Sequence, residues 1–465
     1  MIALLAQAGP EVLREPDLSG SEAAESPFVA SVMGFLNSYS LLFIVAFVVT
    51  LLVTPLVRRA AISADIVDHP DAGRKQHPYP VAYLGGIAVF LGLLIAVAFS
   101  YLPIGGAQPQ YQPIPLSILI GIVAITVTGL ADDIWKWDPR LKIAGQLVAA
   151  AALAIEDVGV RVAEGALKPI VASIGGNNAP EAALFAIEWM PITNGDLYYW
   201  VGTAIIAIFV LGGCNAANLV DGLDGLLSGL IAIVAIGLLA VSILMAVKEA
   251  PTGSEPTLAG ARVALCFALL GAVLGFLPHN FNPATIFLGD CGSLLLGYVS
   301  VVIILMLGHT GQTPLVFAGL IVFAIPIMDT VLAIVRRKLS GRPMSSADDQ
   351  HIHHQLRRGL GSVKKAVFAL YAIGVLFAVV GVTLAYLIIH TELRVRVIYA
   401  IAIVLFGSIG VFAFKAARRA EFQAETERLR QRAARLGQAN GDAARPRAPE
   451  TPMQPVTPAS KSAAP

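Results

Sequence analysis

The chain has 465 residues, 56% hydrophobic and only 14% charged, with a mean hydropathy of +0.74 and a net charge of +1. That balance excludes a soluble domain of this length, and the absence of any collected basic patch argues against nucleic acid as a partner. Apolar runs near the ~20 residues needed to cross a bilayer recur along the chain and do not alternate, so the expected fold is an all-α, polytopic transmembrane bundle and not a β-barrel.

In chain order, residues 1–35 lack the pattern of a cleavable signal, because Arg14 follows the short apolar MIALLAQAG instead of preceding it, and they are expected to remain as an extracytoplasmic segment. About eleven transmembrane helices are then expected, near 36–57, 82–101, 114–131, 141–156, 199–217, 226–247, 258–278, 292–309, 313–335, 365–389 and 394–415. The fourth is short and carries Lys142, and the 42-residue segment 157–198 that follows it has mixed character and no motif. These helices form a membrane domain over 36–415. Hydropathy collapses beyond Lys415, and residues 416–465 read as a charged helix followed by a disordered Pro/Ala-rich tail.

Orientation follows from the basic residues, which are retained on the cytoplasmic side of short loops. With the N-terminus outside and the C-terminus inside, loops 58–81, 132–140, 218–225, 279–291 and 336–364, their helix ends and the tail hold about 25 of the 32 Lys and Arg. The same assignment brings every unusual polar cluster to one face. Ionisable groups at helix ends near hydrocarbon are costly unless paired, so this co-location points to a metal and anionic substrates at a cytoplasmic site.

Asp132 and Asp133 close the third helix in GLADDIWKWDPR. Adjacent carboxylates repel unless a cation sits between them; the plainer alternative is a solvated loop neutralised by Lys136 and Arg140. In NAANLVDGLDGL, Asn218, Asp221 and Asp224 recur every third residue with Gly222 and Gly225 beside the acids, offering hard oxygen ligands suited to Mg²⁺ or to sugar and base hydroxyls. The alternative is a glycine-rich break with its acids in water. Asp290, in FLGDCGSLLLG, is an ordinary helix N-cap taken alone, but a helix N-terminus also receives phosphate, and an acid there can hold the accompanying metal.

The run DDQHIHHQLRRG sets His351, His353 and His354 before Arg357 and Arg358. With no further Cys or His paired to them for zinc, diphosphate recognition is the better reading. Arg74, Lys75 and His77 lie in the first loop, where topology-setting charge explains them as well as substrate contact does. Asp329 precedes Arg336 by about two turns on the same face, and its role stays open. Cys214, Cys266 and Cys291 show no paired spacing and read as small core residues.

Taken together, GLADDIWKWDPRLK, NAANLVDGLDGL, FLGDCGSLLLG and HIHHQL resemble the ordered motifs of the polyprenyl-phosphate N-acetylhexosamine-1-phosphate transferases, over roughly residues 40–360. The HIHH form looks like the branch acting on UDP-N-acetylglucosamine rather than the phospho-MurNAc-pentapeptide translocases, which carry PLHHH. One departure is PVAYLGG, where Ala82 and Tyr83 replace the Pro and Arg usual to that branch.

The resemblance implies a Mg²⁺-dependent transferase, with Mn²⁺ as an alternative ion, and a catalytic membrane domain in the plasma membrane. UDP-N-acetylhexosamine and polyprenyl phosphate are the implied substrates, and the chain could pair as a homodimer. On this reading Asp290, Asn218 and Asp221 hold the metal and contact the nucleotide, Asp132 and Asp133 shape the lipid-phosphate end, and one of that pair could act as base. The resemblance further assigns His351, His353 and His354, with Arg357, to the diphosphate, His353 being counted among the catalytic residues. It gives Asp224 to the nucleotide and leaves Lys75 as a phosphate contact. The rival classes are an intramembrane prenyltransferase, which leaves HIHH and Asp290 unexplained, and an ion-coupled transporter, whose acids would sit near the bilayer midplane.

Overall fold

The computed structural model describes residues 27–68, 80–102, 114–173, 183–185, 192–248, 258–309, 312–339, 341 and 351–391, with scattered positions between 397 and 433. In order the elements are α1 (Pro27–Ser63), β1 (Val67–Asp68), β2 (Val81–Ala82), α2 (Gly85–Phe99), α3 (Leu116–Trp135), α4 (Pro139–Ile155), α5 (Arg161–Ser173), β3 (Ala183–Phe185) and β4 (Ile192–Thr193). There follow α6 (Asn194–Val220), α7 (Leu226–Lys248), α8 (Ala259–Asn280), α9 (Gly289–Met306), α10 (Thr313–Val322), α11 (Ala324–Leu339), α12 (Ile352–Leu360) and α13 (Val363–His390). Apart from two antiparallel two-stranded ribbons, β1–β2 and β3–β4, the described chain is helical.

Several helix ends are written in local chemistry. Asp138 accepts from the Arg140 N–H at 2.8 Å and Pro139 fills the first helical position, which starts α4. Thr193 and Asp196 form a reciprocal capping box at the start of α6. The expected single helix at 313–335 is instead two, α10 and α11, bent by 79° at Phe323. Pro326 supplies the reason, because it has no N–H for the carbonyl of Val322 and its ring crowds that carbonyl.

α8 and α9 lie at the centre: 89% and 94% of their apolar windows are buried inside the protein, against 22% for α1 and 33% for α13, whose flanks face outward. An all-round apolar surface on peripheral helices is stable only in lipid. Helix ends meet in two sets. At one end Arg58 Nε donates to the Thr285 carbonyl at 3.0 Å, and the loop between α6 and α7 meets the end of α8 where the Gly225 N–H donates to Asn280 Oδ1 at 3.2 Å. At the other, the Ser117 N–H donates to Glu156 at 2.9 Å, Lys248 Nζ to the Ile389 carbonyl at 2.7 Å and Thr313 Oγ1 to the Val162 carbonyl at 3.0 Å.

Among the described residues seven helices are long and apolar enough to cross a membrane, and an eighth if the bent α10–α11 pair is one span, so the eleven expected spans are not all shown. Of the three that remain, α2 has 15 residues and α4 has 17. At 1.5 Å per residue they span about 22 and 25 Å against a hydrocarbon thickness of about 30 Å. Most of 394–415 lies outside the described residues, as does most of the tail. The segment 157–198, which carries no motif, contains the amphipathic α5 and the β3–β4 ribbon.

Candidate active site

The two aspartates at the end of α3 point to different partners. Asp133 sends both oxygens to the start of α9, accepting the N–H groups of Asp290 at 2.8 Å and Cys291 at 3.0 Å. It therefore caps a helix to which it does not belong, taking up N–H groups that would otherwise be orphaned and favouring the positive end of the dipole. Gly289 turns the chain into that cap at φ +70°, and a Cβ there would lie 2.5 Å from Asp133 Oδ2. Two amides that the sequence reading left available for phosphate are thus occupied by this carboxylate.

Asp132 faces Lys142, one turn into α4, at 3.0 Å. The same ammonium also pairs with Asp290. The expected cation between Asp132 and Asp133 is therefore not what the geometry offers; the shared cation lies between Asp132 and Asp290, from α3 and α9. Asn218, in the last turn of α6, donates from Nδ2 to Asp290 Oδ1 at 2.8 Å and to Ser293 Oγ at 2.9 Å, which fixes the rotamer of Asp290. Asp221 sits just past α6, half-buried, and among the described residues accepts no hydrogen bond. Desolvation, reinforced by the fields of Asp290, Asp133 and Asp224, pushes its carboxyl up to about 8.

Asp224 is turned the other way. Its Oδ2 accepts from Asn282 Nδ2 at 2.8 Å and from the Ala284 N–H at 3.0 Å, so it ties the turn after α6 to the loop before α9. Those two bonds give it an anchoring role. Asn280 works beside it, accepting from the Gly225 N–H and from Ser228 Oγ at 2.8 Å while donating to the Ile286 carbonyl at 3.1 Å.

The histidine motif begins α12 and meets Asp329 of α11 directly. His351 Nδ1 lies 2.7 Å from Asp329 Oδ2, and Asp329 Oδ1 accepts the Ile352 N–H at 2.9 Å. Asp329 thus both orients His351 and caps α12 from α11, an assignment the sequence left open. His353 is buried, stacked on His351 and tilted against His354, with ring centroids 5.5 and 4.3 Å away. Its Nε2 presses on Gly222, where a Cβ would come within 2.2 Å. Burial first, then the positive field of His354, lowers its pKa to about 3, so this ring is neutral at physiological pH. Arg357 is half-buried and contributes to that field.

Of the expected site residues, Asp132, Asp133, Asn218, Asp221, Asp290, His351, His353 and His354 come together, and Lys75, with Arg74 and His77, lies outside the described residues. Lys142 was missed: its signal was a second cation, two positions beyond Arg140, at the start of an otherwise largely apolar helix. Asn282 and Ser293 carry no signal of their own. The three cysteines are free and buried, as read.

Among the described residues no group of three or more His, Cys, Asp or Glu forms a ready cage for a metal. The donor chemistry nevertheless suits a hard divalent cation, because Asp132 and Asp290 close on a single positive charge, the Lys142 ammonium, which stands where such an ion would neutralise them. Carboxylates and a cation at the end of an apolar bundle, with a neutral His353 seated on a glycine turn, equip a membrane enzyme for chemistry on phosphate esters.

Known proteins agree with that class. Residues 115–308 match the model of glycosyl transferase family 4. The chain is 31% identical over 347 residues, covering 74% of it and 84% of the relative, to a protein of Bacillus subtilis described as a probable undecaprenyl-phosphate N-acetylglucosaminyl 1-phosphate transferase. It is 32% identical over 356 residues to the decaprenyl-phosphate N-acetylglucosaminephosphotransferase of Mycolicibacterium smegmatis, covering 72% of this chain and 79% of that one. It is also 28% identical over 363 residues to the phospho-N-acetylmuramoyl-pentapeptide-transferase of Bacillus cytotoxicus, covering 75% and 97%. The chain belongs to glycosyl transferase family 4 and is a polytopic membrane phosphoglycosyltransferase. The prenyltransferase and transporter alternatives are thereby set aside.

Proposed function

We propose that this enzyme transfers N-acetylglucosamine 1-phosphate from UDP-N-acetylglucosamine to undecaprenyl phosphate, releasing UMP, at a Mg²⁺ site on the cytoplasmic face of the plasma membrane, as the first step of a cell-envelope polysaccharide. The observation that carries it is the convergence of Asp132, Asp290, Asn218 and Lys142 from four helices at one end of the bundle. The relatives named for N-acetylglucosamine match at higher identity than the one named for the MurNAc-pentapeptide. The HIHH form of the histidine motif supports the same branch.

An oxygen of the lipid phosphate attacks the β-phosphorus, and the bond from that phosphorus to the bridging oxygen breaks, UMP leaving with the electron pair. Two anions must approach, and Mg²⁺ held by Asp290, Asp221 and Asp132 would supply the charge neutralisation such phosphoryl transfers need; Mn²⁺ has the same donor preference. Lys142, released from one carboxylate, can receive a phosphate oxygen. Asn218 holds Asp290 in place, and Asp133 holds the helix that carries it. Because the second pKa of a phosphate monoester is about 6, the acceptor is already largely dianionic at neutral pH, so positioning matters more than a base. Neutral His353 and its neighbours would offer N–H donors to the diphosphate.

The deciding assay follows UMP from purified enzyme with Mg²⁺ and undecaprenyl phosphate, supplied separately with UDP-N-acetylglucosamine and UDP-MurNAc-pentapeptide. UMP from the first alone, lost in Asp290→Ala, supports the proposal; UMP from the second places the enzyme in the peptidoglycan branch.

A further inference from the structure

Tyr83 stands at the position where this chain departs from the arginine of the resembling branch, and the structure locates it in the active site. The strand β2 is held on both sides. Its partner β1 pairs Val67 with Ala82, and the Tyr83 N–H donates to the Ile66 carbonyl at 3.1 Å. On the other side the Phe287 N–H donates to the Ala82 carbonyl, and the Gly85 and Gly86 N–H groups donate to the Phe287 and Leu288 carbonyls, all at 2.9 Å. The chain carrying Tyr83 is therefore stitched to the segment that leads into Asp290. The tyrosine ring packs edge-on against Phe287 at 5.9 Å, which leaves its hydroxyl as the variable end.

That hydroxyl is in the field of four carboxylates from four elements: Asp68 on β1, Asp133 on α3, Asp221 after α6 and Asp290 on α9. Among the described residues it makes no hydrogen bond. A half-buried phenol so placed is held un-ionised, chiefly by burial and further by those four charges, and stays a proton donor. A phenol that donates to none of these carboxylates is available to an incoming anion. A phenol differs from a guanidinium in one respect that matters here: it donates without cancelling the negative charge that attracts a divalent cation.

We propose that Tyr83 is a donor-positioning residue, its hydroxyl donating to the diphosphate of the nucleotide sugar while leaving the carboxylate cluster free to bind the metal. This rests on the nucleotide-sugar reading above, though not on which sugar is carried. Tyr83→Phe keeps the ring on Phe287 and removes only the donor. In full-length protein with Mg²⁺, calorimetry should show UDP binding weakened about tenfold or more, the size expected for a lost hydrogen bond to a charged group. Binding of UMP, which lacks the second phosphate, should change by less than about twofold. The melting temperature should stay near that of the parent. In turnover the loss should fall on KM for the UDP-sugar rather than on kcat. Tyr83→Arg should raise the Mg²⁺ concentration for half-maximal UMP release several-fold. Unchanged UDP binding in Tyr83→Phe, or equal losses for UDP and UMP, would overturn the inference and leave the proposed reaction standing. A parent enzyme that binds neither nucleotide would overturn both.

Discussion

Asp133 and Asp132 are neighbours in sequence with separate tasks, and substitution should distinguish them. In Asp133→Asn one acceptor that faces an N–H becomes a donor, leaving a buried amide of α9 opposed. We expect a loss of about 1–3 kcal/mol, read as a lower melting temperature, together with reduced activity. Asp132→Asn leaves that cap intact and should lower UMP release with little change in melting. Gly222→Ala places a methyl group 2.2 Å from His353 Nε2 and should displace the imidazole, lowering activity while the bundle melts normally. His353 also sets an acid limit. Its folded pKa of about 3 lies below the ordinary 6.5, so the unfolded chain takes up a proton that the folded one refuses. Stability should be full above about pH 6.5 and decline as pH falls toward 3. Melting scans from pH 7 to 5 should show a smaller decline in His353→Gln than in the parent.

At the scale of elements, the site is built by helices capping one another. Asp133 of α3 caps α9, Asp329 of α11 caps α12, and Asn280 of α8 holds the turn that starts α7. Each contact joins segments far apart in the chain, so the polar groups that would cost most near hydrocarbon also register the helices against one another. Asp329→Ala removes both the cap of α12 and the partner of buried His351. It should release the histidine motif to proteolysis between α11 and α12 while α1 to α10 stay protected, a difference that limited digestion in detergent can read.

For the whole molecule, the prediction is one of sides. Cysteines introduced at the exposed positions Lys136 and Gly359 lie at the active-site end, whereas Glu156 and Thr391 lie at the other. In sealed cells a membrane-impermeant thiol reagent should modify the second pair and spare the first, and inverted vesicles should reverse the result. Modification of Lys136→Cys and Glu156→Cys from the same side would break the proposed orientation.

The sequence alone determined the membrane class, the approximate places of most helices and the motif residues, because a long apolar run has few other destinations and each motif is local. It also showed the departure at Tyr83, though not that the residue enters the site. Tertiary structure decided what depends on approach between distant segments: that Asp132 pairs across to Asp290 through Lys142 while Asp133 turns away to cap α9, that Asp224 anchors a loop, and that Asp329 belongs to His351. It also divided the run at 313–335 and left α2 and α4 short. A carboxylate's partner is set by which helices pack together, and that packing follows from shape and buried contacts summed over the bundle, which no local spacing records.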